Sequence, residues 1–555
     1  MAEHGVVLER AWVGVERRQE APPALTGRGV ALLAAAVLAL VVLRLPGFRV
    51  PMDQDAGCYA YIGETWARGG LPYRDAWDHK PPAIFLLTAA LSALPGGGFP
   101  VVLRACAVAF GVGTLLLVFG IVRRLGGESL GLAAAFVYAA SSSGVLVTRE
   151  TFQTEHAMAL LSVLSVWLLV LADARWRWWL ILLAGLSAGA AIAFKPVSAA
   201  LSGLAFLWFL ARQMGGDGRY PGSVVRAHQG ALDGPGDGFG RRAATAIGLM
   251  AAGVVAVPAA FVAYFAAVGA FDDFWRAFVT YNSLYRAAEE HAGVGLRTTL
   301  GLSHVTFTRL RELAPEQAWL VLASLAGLAV VVWGWRRRQA TLFLLWPVGA
   351  LAGLVAAGRF YAYYFLPLSA ALAPLAAEGL LALARGVRAR PRVWWAVAGA
   401  GAIALCFAGG LCWDAREYRA LTSPQYDNAI LARIARSIRA DSRPDDCIFV
   451  WGARQQVYVL AERRGPSRFI SDAHFRDAKA ARGFFGDNVF DEIADAVRAK
   501  RCRYVLATDV RALDKFPALK DLLAADYEVV QEVKLGEKMT AHLYRRRAAA
   551  ERKPT

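Results

Sequence analysis

Apolar residues run along this chain in long uninterrupted stretches, each closed by a short polar turn. A helix that spans a bilayer needs about 20 mainly apolar residues, because nothing in the hydrocarbon can satisfy an open backbone. Stretches of that kind predict about eleven spanning helices. They lie at residues 29–45, 99–122, 130–147, 156–171, 178–194, 197–210, 243–268, 319–335, 342–357, 363–383 and 393–412. Residues 83–94 are apolar but too short to span. KPP before them and PGGGFP after them predict a helix lying at the membrane surface.

From about residue 414 the pattern changes. Short β-type runs (CIFVWG, RYVLAT, EVVQEVKL) alternate with charged helical stretches (VFDEIADAVRAKR, LKDLLAAD). That alternation predicts a small α/β domain with a partly parallel sheet. The expected organisation is an N-terminal segment at 1–28, a membrane domain at 29–413 with a long first loop at 46–98, and a soluble domain at 414–555.

Composition supports the membrane class. Hydrophobic residues fill 57% of the 555 positions, against about 45–50% in soluble domains, and the mean hydropathy is +0.39. The net charge is +17. Its basic clusters are short and sit at the ends of apolar runs: Arg123 and Arg124, 175–177, Arg241 and Arg242, 336–338, and 385–392. A continuous phosphate-tracking surface is absent from that arrangement, so nucleic acid is excluded as a partner.

The clusters orient the chain instead, because basic residues concentrate in cytoplasmic loops. Arg10, Arg17 and Arg18 place the N-terminus inside, and every later cluster falls on the same side when the spans are counted through. The first run starts late and lacks a small-residue cleavage site, so it reads as a retained anchor. Loops 46–82, 148–155, 271–316 and 358–361 are then outside, as is the soluble domain. Residues 215–240, rich in glycine and aspartate, read as a flexible inner loop, and their DGPGDG lacks the spacing of a calcium loop. Of the six cysteines, Cys447 and Cys502 open two strand-like runs. They either pair, if the domain is extracytoplasmic, or stand as two buried thiols.

The first loop carries the densest chemistry. MDQDAGCYAYIGETWARGGLPYRDAWDHKPP holds Asp53, Asp55, Asp75, Asp78, His79 and Lys80. Tyr59, Ile62 and Trp66 recur at helical spacing, which predicts a helix with one aromatic face laid on the bilayer. Such a helix would hold Asp53 and Asp55 at headgroup depth, where a partly desolvated carboxylate can act as a general base. Lys80 or His79 would neutralise a phosphate or pair with Asp55. Asp75 reads as a solvated bystander.

The stretches DAGCY, GGLPYRDAWDHKPP and AIFLLTAAL resemble the first outer loop of GT-C glycosyltransferases of the protein O-mannosyltransferase and lipid A aminoarabinose transferase type. RACAVAFGVGTLLLVFGIVRRLGG, TRETFQTEHAMAL, AFKP and GRFYAYYFLPLSAALAPLAA resemble later segments in the same order. The resemblance covers residues 29–383, and HKPP is its most specific part. It implies a polytopic helical membrane enzyme. A sugar would move from a polyprenyl-phosphate donor to an envelope acceptor, a lipid, glycan or protein, on the outer face of the membrane.

The family's catalytic aspartate falls on Asp55. Its neighbouring glutamate falls on Ala56, which can neither ligate a metal nor relay a proton, and Asp53 is the nearest substitute. The family's second-loop acid falls on Glu155, with Glu150 as the alternative. Lys80, His79, Lys195, Arg359 and Tyr363 are the expected donor-phosphate or substrate contacts. A divalent metal stays open, because no ligand set with convincing spacing appears. The rival reading from another class is a transporter or lipid flippase, whose charges would line a pathway. A third is a receptor whose tail binds partners.

Overall fold

The computed structural model describes residues 23–93, 98–148, 152–214, 237–284, 304–333, 340–358, 360–389, 394–475, 478–536 and 539–548. The glycine-rich loop 215–236, Glu150 and Arg359 lie outside the described residues. Each expected span coincides with a helix. In chain order these are α1 (Gly27–Arg44), then, after the first loop, α4 (Phe99–Gly126), α5 (Glu128–Ser141), α6 (Thr154–Ala174), α7 (Trp178–Phe194), α8 (Ala199–Met214) and α9 (Asp237–Ala267). They continue as α10 (His304–Trp333), α11 (Ala340–Ala357), α12 (Leu366–Ala389) and α13 (Trp394–Leu421). Among the described residues, seven helices are long and apolar enough to cross a membrane. The protein is a multi-pass membrane protein.

Small residues hold the bundle together, as expected where hydrophobicity gives no net drive between helices in lipid. A Cβ at Gly253 of α9 would sit 2.5 Å from the Leu186 nitrogen of α7. One at Gly379 of α12 would sit 2.2 Å from the Ala323 carbonyl of α10. Arg44 ends α1 and is buried, a costly place for a charge unless it is hydrogen-bonded. It donates to the carbonyls of Ala107 (2.9 Å) and Ser142 (2.7 Å). That fixes the point where the first loop begins.

The first loop folds into two helices. The α2 helix (Gln54–Ala67) is capped by Asp53, whose carboxylate accepts from the Ala56 N–H at 2.8 Å. The α3 helix (Pro82–Ser92) starts on the second proline of HKPP, which suits a first helical position where no N–H is needed. Thr88 of α3 donates to the Tyr59 carbonyl of α2 at 2.7 Å.

After α13 comes α14 (Asp427–Ala440), then β1 (Ile448–Trp451), α15 (Gln456–Ala461), α16 (Ala478–Phe485) and α17 (Val489–Ala499). The chain closes with β2 (Tyr504–Ala507), α18 (Pro517–Asp526), β3 (Tyr527–Leu535) and β4 (Met539–Arg546). The sheet order is β1-β2-β4-β3, with β1 and β2 parallel and the other pairs antiparallel. This is the partly parallel α/β domain expected from the sequence. Cys447 and Cys502 form a disulfide just before β1 and β2, the paired alternative of the two. The composition change at residue 414 falls inside α13, which runs on to Leu421.

One expectation is corrected. The α2 helix does not lie with its aromatic face on the bilayer. Residues Ala56 to Gly63 are all buried. Tyr59 and Ile62 pack into one core with Phe85 of α3, Phe265 of α9 and the sheet residues Phe449 and Val505. The spacing that predicted an amphipathic surface helix also fits a helix covered by protein on several sides. The helix α15 and the loops on either side of it supply that cover: Tyr61 packs on Tyr458 and accepts from the Gly465 N–H at 2.9 Å. Arg454 in the loop after β1 donates to Gln54 at 3.0 Å, and Arg464 pairs with Glu64 at 3.2 Å.

Gly57 is the closest contact in this docking. A Cβ there would lie 2.3 Å from the Gln456 backbone nitrogen. Gly57→Ala is therefore expected to destabilise the chain by about 1–3 kcal/mol, and Gly57→Leu to undock the domain. Thermal melts and limited proteolysis of the segment after α13 check both. A Gly57→Leu protein that melts and digests like the parent would show that the two parts do not bear on each other.

Candidate active site

The expected site residues gather at one end of the bundle, under the α/β domain. Four loops supply them: the first loop, the segment before α6, the α7–α8 turn and the turn before α12. The local reasons differ. Asp55 sits in the first turn of α2, where a carboxylate suits the helix N-terminus. Glu155 occupies the first turn of α6. Lys195 caps α7 in extended conformation, just before Pro196. Tyr363 lies in a short turn at Ala362–Phe365 that leads into α12.

The acids divide by what already holds them. One Asp53 oxygen caps α2, and the other accepts from the Gln153 amide at 3.1 Å. Asp53 is thus a strut between the first and second loops, and its substitution for the absent glutamate is not what the geometry favours. Glu155 is ion-paired with Lys195 and also accepts from Thr154 at 3.0 Å. The Lys195 ammonium lies 3.1 Å from the centre of the Tyr364 ring, a cation–π contact. Tyr363 stacks on Tyr361 and meets Tyr364 edge-on. Asp75 closes the turn by accepting from the Leu71 N–H at 2.7 Å. Asp55 is half-buried, and among the described residues no hydrogen bond or ion pair engages its carboxylate.

Asp78 is the acid that sequence reading underrated. It is 5% exposed and accepts from the Cys58 thiol (3.1 Å) and the Lys80 N–H (2.9 Å). Its carboxylate lies 3.9 Å from the Lys80 ammonium. Burial by itself would raise the Asp78 pKa. The charges of Lys80, His79 and His474 outweigh it and hold the carboxyl well below the usual range. Lys80 is opposed by burial in turn, and Asp78 first, then Asp55, raise its pKa so that it stays charged. Lys80 thus pairs chiefly with Asp78, and Asp55 feels it from further away.

His474, from the α/β domain, is the second residue missed. Its Nδ1 faces the Tyr281 hydroxyl at 3.1 Å, and its ring packs edge-on to Trp77 and His79. Tyr281 ends a π-helical turn (Arg276–Tyr281), a backbone form often found at functional sites. Asn282 follows it and donates to the His79 carbonyl at 2.8 Å. The ligand atoms of Asp78, His79 and His474 lie within 4.8 Å of one another. Two imidazoles and a carboxylate are a zinc-type donor set with one position left open. No spacing rule links His79 to a histidine so far along the chain, so this cluster left no signal in the sequence.

A family model described as dolichyl-phosphate-mannose-protein mannosyltransferase matches residues 79–217. No curated protein matches the chain. Among solved structures, ArnT from Cupriavidus metallidurans bound to undecaprenyl phosphate superposes with a TM-score of 0.53 at 16% identity, over 96% of this chain and 100% of that one. The same protein in the apo state gives 0.50 at 15% identity, over 95% and 99%. The Archaeoglobus fulgidus oligosaccharyltransferase tethered to an acceptor peptide gives 0.50 at 15% identity, over 94% and 74%. The chain has the GT-C fold that its first loop resembles.

Two measurements follow from the Asp78 cluster. Asp78→Asn leaves the half-buried Lys80 without its nearest counter-charge, and is expected to cost about 1–3 kcal/mol in a denaturation assay. Zinc at a hundredfold excess over its Kd should stabilise the full chain by about 2.7 kcal/mol, and His474→Ala should abolish that gain. A chain whose melting ignores both zinc and chelator would rule the cluster out as a metal centre.

Proposed function

We propose that the chain is a membrane glycosyltransferase that takes a sugar from a polyprenyl-phosphate donor and passes it to an envelope acceptor. The reaction occurs on the outer face, with the N-terminus inside and the α/β domain outside. The single observation that carries this reading is the Asp55 carboxylate. It is half-buried and unengaged in a site where Asp53, Asp78 and Glu155 are all held. The family model and the fold of the solved relatives support the same reading. So does the basic-cluster count along the sequence.

In this mechanism Asp55 takes the proton from an acceptor hydroxyl or amine. The acceptor atom attacks the anomeric carbon, and the bond from that carbon to the phosphate oxygen breaks. One displacement inverts the centre, and no sugar becomes attached to the protein. The departing lipid phosphate carries negative charge, which Lys80 offsets, with Arg359 and His79 as further contacts. Glu155 acts through Lys195, holding its ammonium toward the tyrosines at 361–364 instead of toward solvent. A site at the end of the membrane helices lets a lipid-linked donor keep its tail among them.

Asp55→Asn is the direct test. Transfer to the envelope acceptor should fall by about 10²–10⁴-fold, while binding of the polyprenyl-phosphate donor persists. Mass spectrometry of envelope glycans and lipids, with and without the chain, identifies the product. Unchanged transfer by the variant would remove Asp55 from the mechanism. Movement of substrate across the bilayer with no new glycosidic bond would replace the enzyme with a transporter.

A further inference from the structure

Among the described residues, buried tyrosines keep their hydroxyls hydrogen-bonded, with one exception. Tyr61, Tyr138 and Tyr458 accept or share hydrogen bonds, and Tyr73, Tyr504 and Tyr527 donate them. Tyr59 is 2% exposed, yet among the described residues its hydroxyl takes no hydrogen bond. Its oxygen is not sealed off like the fully buried polar atoms that lack partners, so it keeps a contact with the open space of the site, and a phenol with an apolar body and a wet tip is placed to meet a bound group. Among the described residues the place of its partner is open to a bound group.

The position of the phenol indicates what that partner is. Tyr59 follows Asp55 by one helical turn, so the two side chains share a face of α2. Its backbone is pinned by Thr88, and its ring packs against Phe85. The Lys80 ammonium stands 6.0 Å from the ring centre. Burial first, and then the negative charge of Asp55, raise the phenol's pKa well above its usual value, so the group keeps its proton. A neutral donor fixed beside an ammonium calls for an acceptor that is itself anionic.

We propose that Tyr59 is a ligand of the donor's phosphate, donating its hydroxyl to a non-bridging oxygen whose charge Lys80 offsets. This rests on the glycosyltransferase reading, because it assigns the phosphate of that donor to the pair. Asp55 is then left free for the acceptor, with the two functions separated along one face of α2. A sugar hydroxyl is the rival partner, and it would make Tyr59 a specificity residue instead.

Tyr59→Phe keeps the ring and its packing and removes only the oxygen. The test measures binding of undecaprenyl phosphate, and of uncharged undecaprenol, to the full chain in nanodiscs. The variant should bind undecaprenyl phosphate about tenfold more weakly, with undecaprenol binding and thermal melting unchanged. Equal phosphate binding by parent and variant overturns the proposal, as does a loss shared by both lipids. Failure of the parent itself to bind undecaprenyl phosphate overturns the donor reading and this proposal together. Retained sugar transfer by Asp55→Asn, with weakened phosphate binding by Tyr59→Phe, overturns only the role of Asp55.

Discussion

The contact between α2 and the α/β domain is the constraint on which the rest of the site depends. A short helix in a membrane-edge loop has little stability of its own, since helix formation needs packing to offset a costly nucleus. Here α2 is held by α3 beneath it and by the loop after β1 above it, within one apolar core. Gly57 lets the Gln456 backbone come close enough for that core to close. The α/β domain is therefore part of the wall of the site, and its α15 packs against the helix that carries Asp55.

Charge is distributed so that one carboxylate stays available. Taking an ionised group out of water is expensive unless it is paired or hydrogen-bonded. Asp53 meets that demand with a helix cap and an amide, Glu155 with Lys195, and Asp78 with Lys80, a thiol and two imidazoles. Asp55 is only half-buried and needs no such partner. A group left in that state can take a proton from a substrate without first breaking a structural contact.

The architecture was legible early because its cause is local. Long apolar runs, basic clusters at their ends and a late shift to αβ alternation each follow from short stretches of sequence. Asp55, Lys80 and Glu155 were expected together through the HKPP loop and its likeness to a known family, and the fold brings them to one end of the bundle. Tyr59 was read from its spacing as one apolar position on a helix face. The same spacing cannot tell a face laid on lipid from one covered by a protein domain, because both reward burial of the same residues. Its hydroxyl is set apart only by its neighbours in three dimensions, none of which, among the described residues, accepts it.

By itself the sequence determined the helices, the α/β tail and the loop that holds the chemistry, since hydrophobic length and helix-start signals act within a few turns of chain. Only the tertiary structure decided that α2 is enclosed, that His474 joins Asp78 and His79, and that Asp53 is a strut while Asp55, among the described residues, meets no partner. Those outcomes depend on groups remote in sequence competing for the same few hydrogen bonds. That competition is settled by packing, where Gly57 admits Gln456 and Arg464 reaches Glu64.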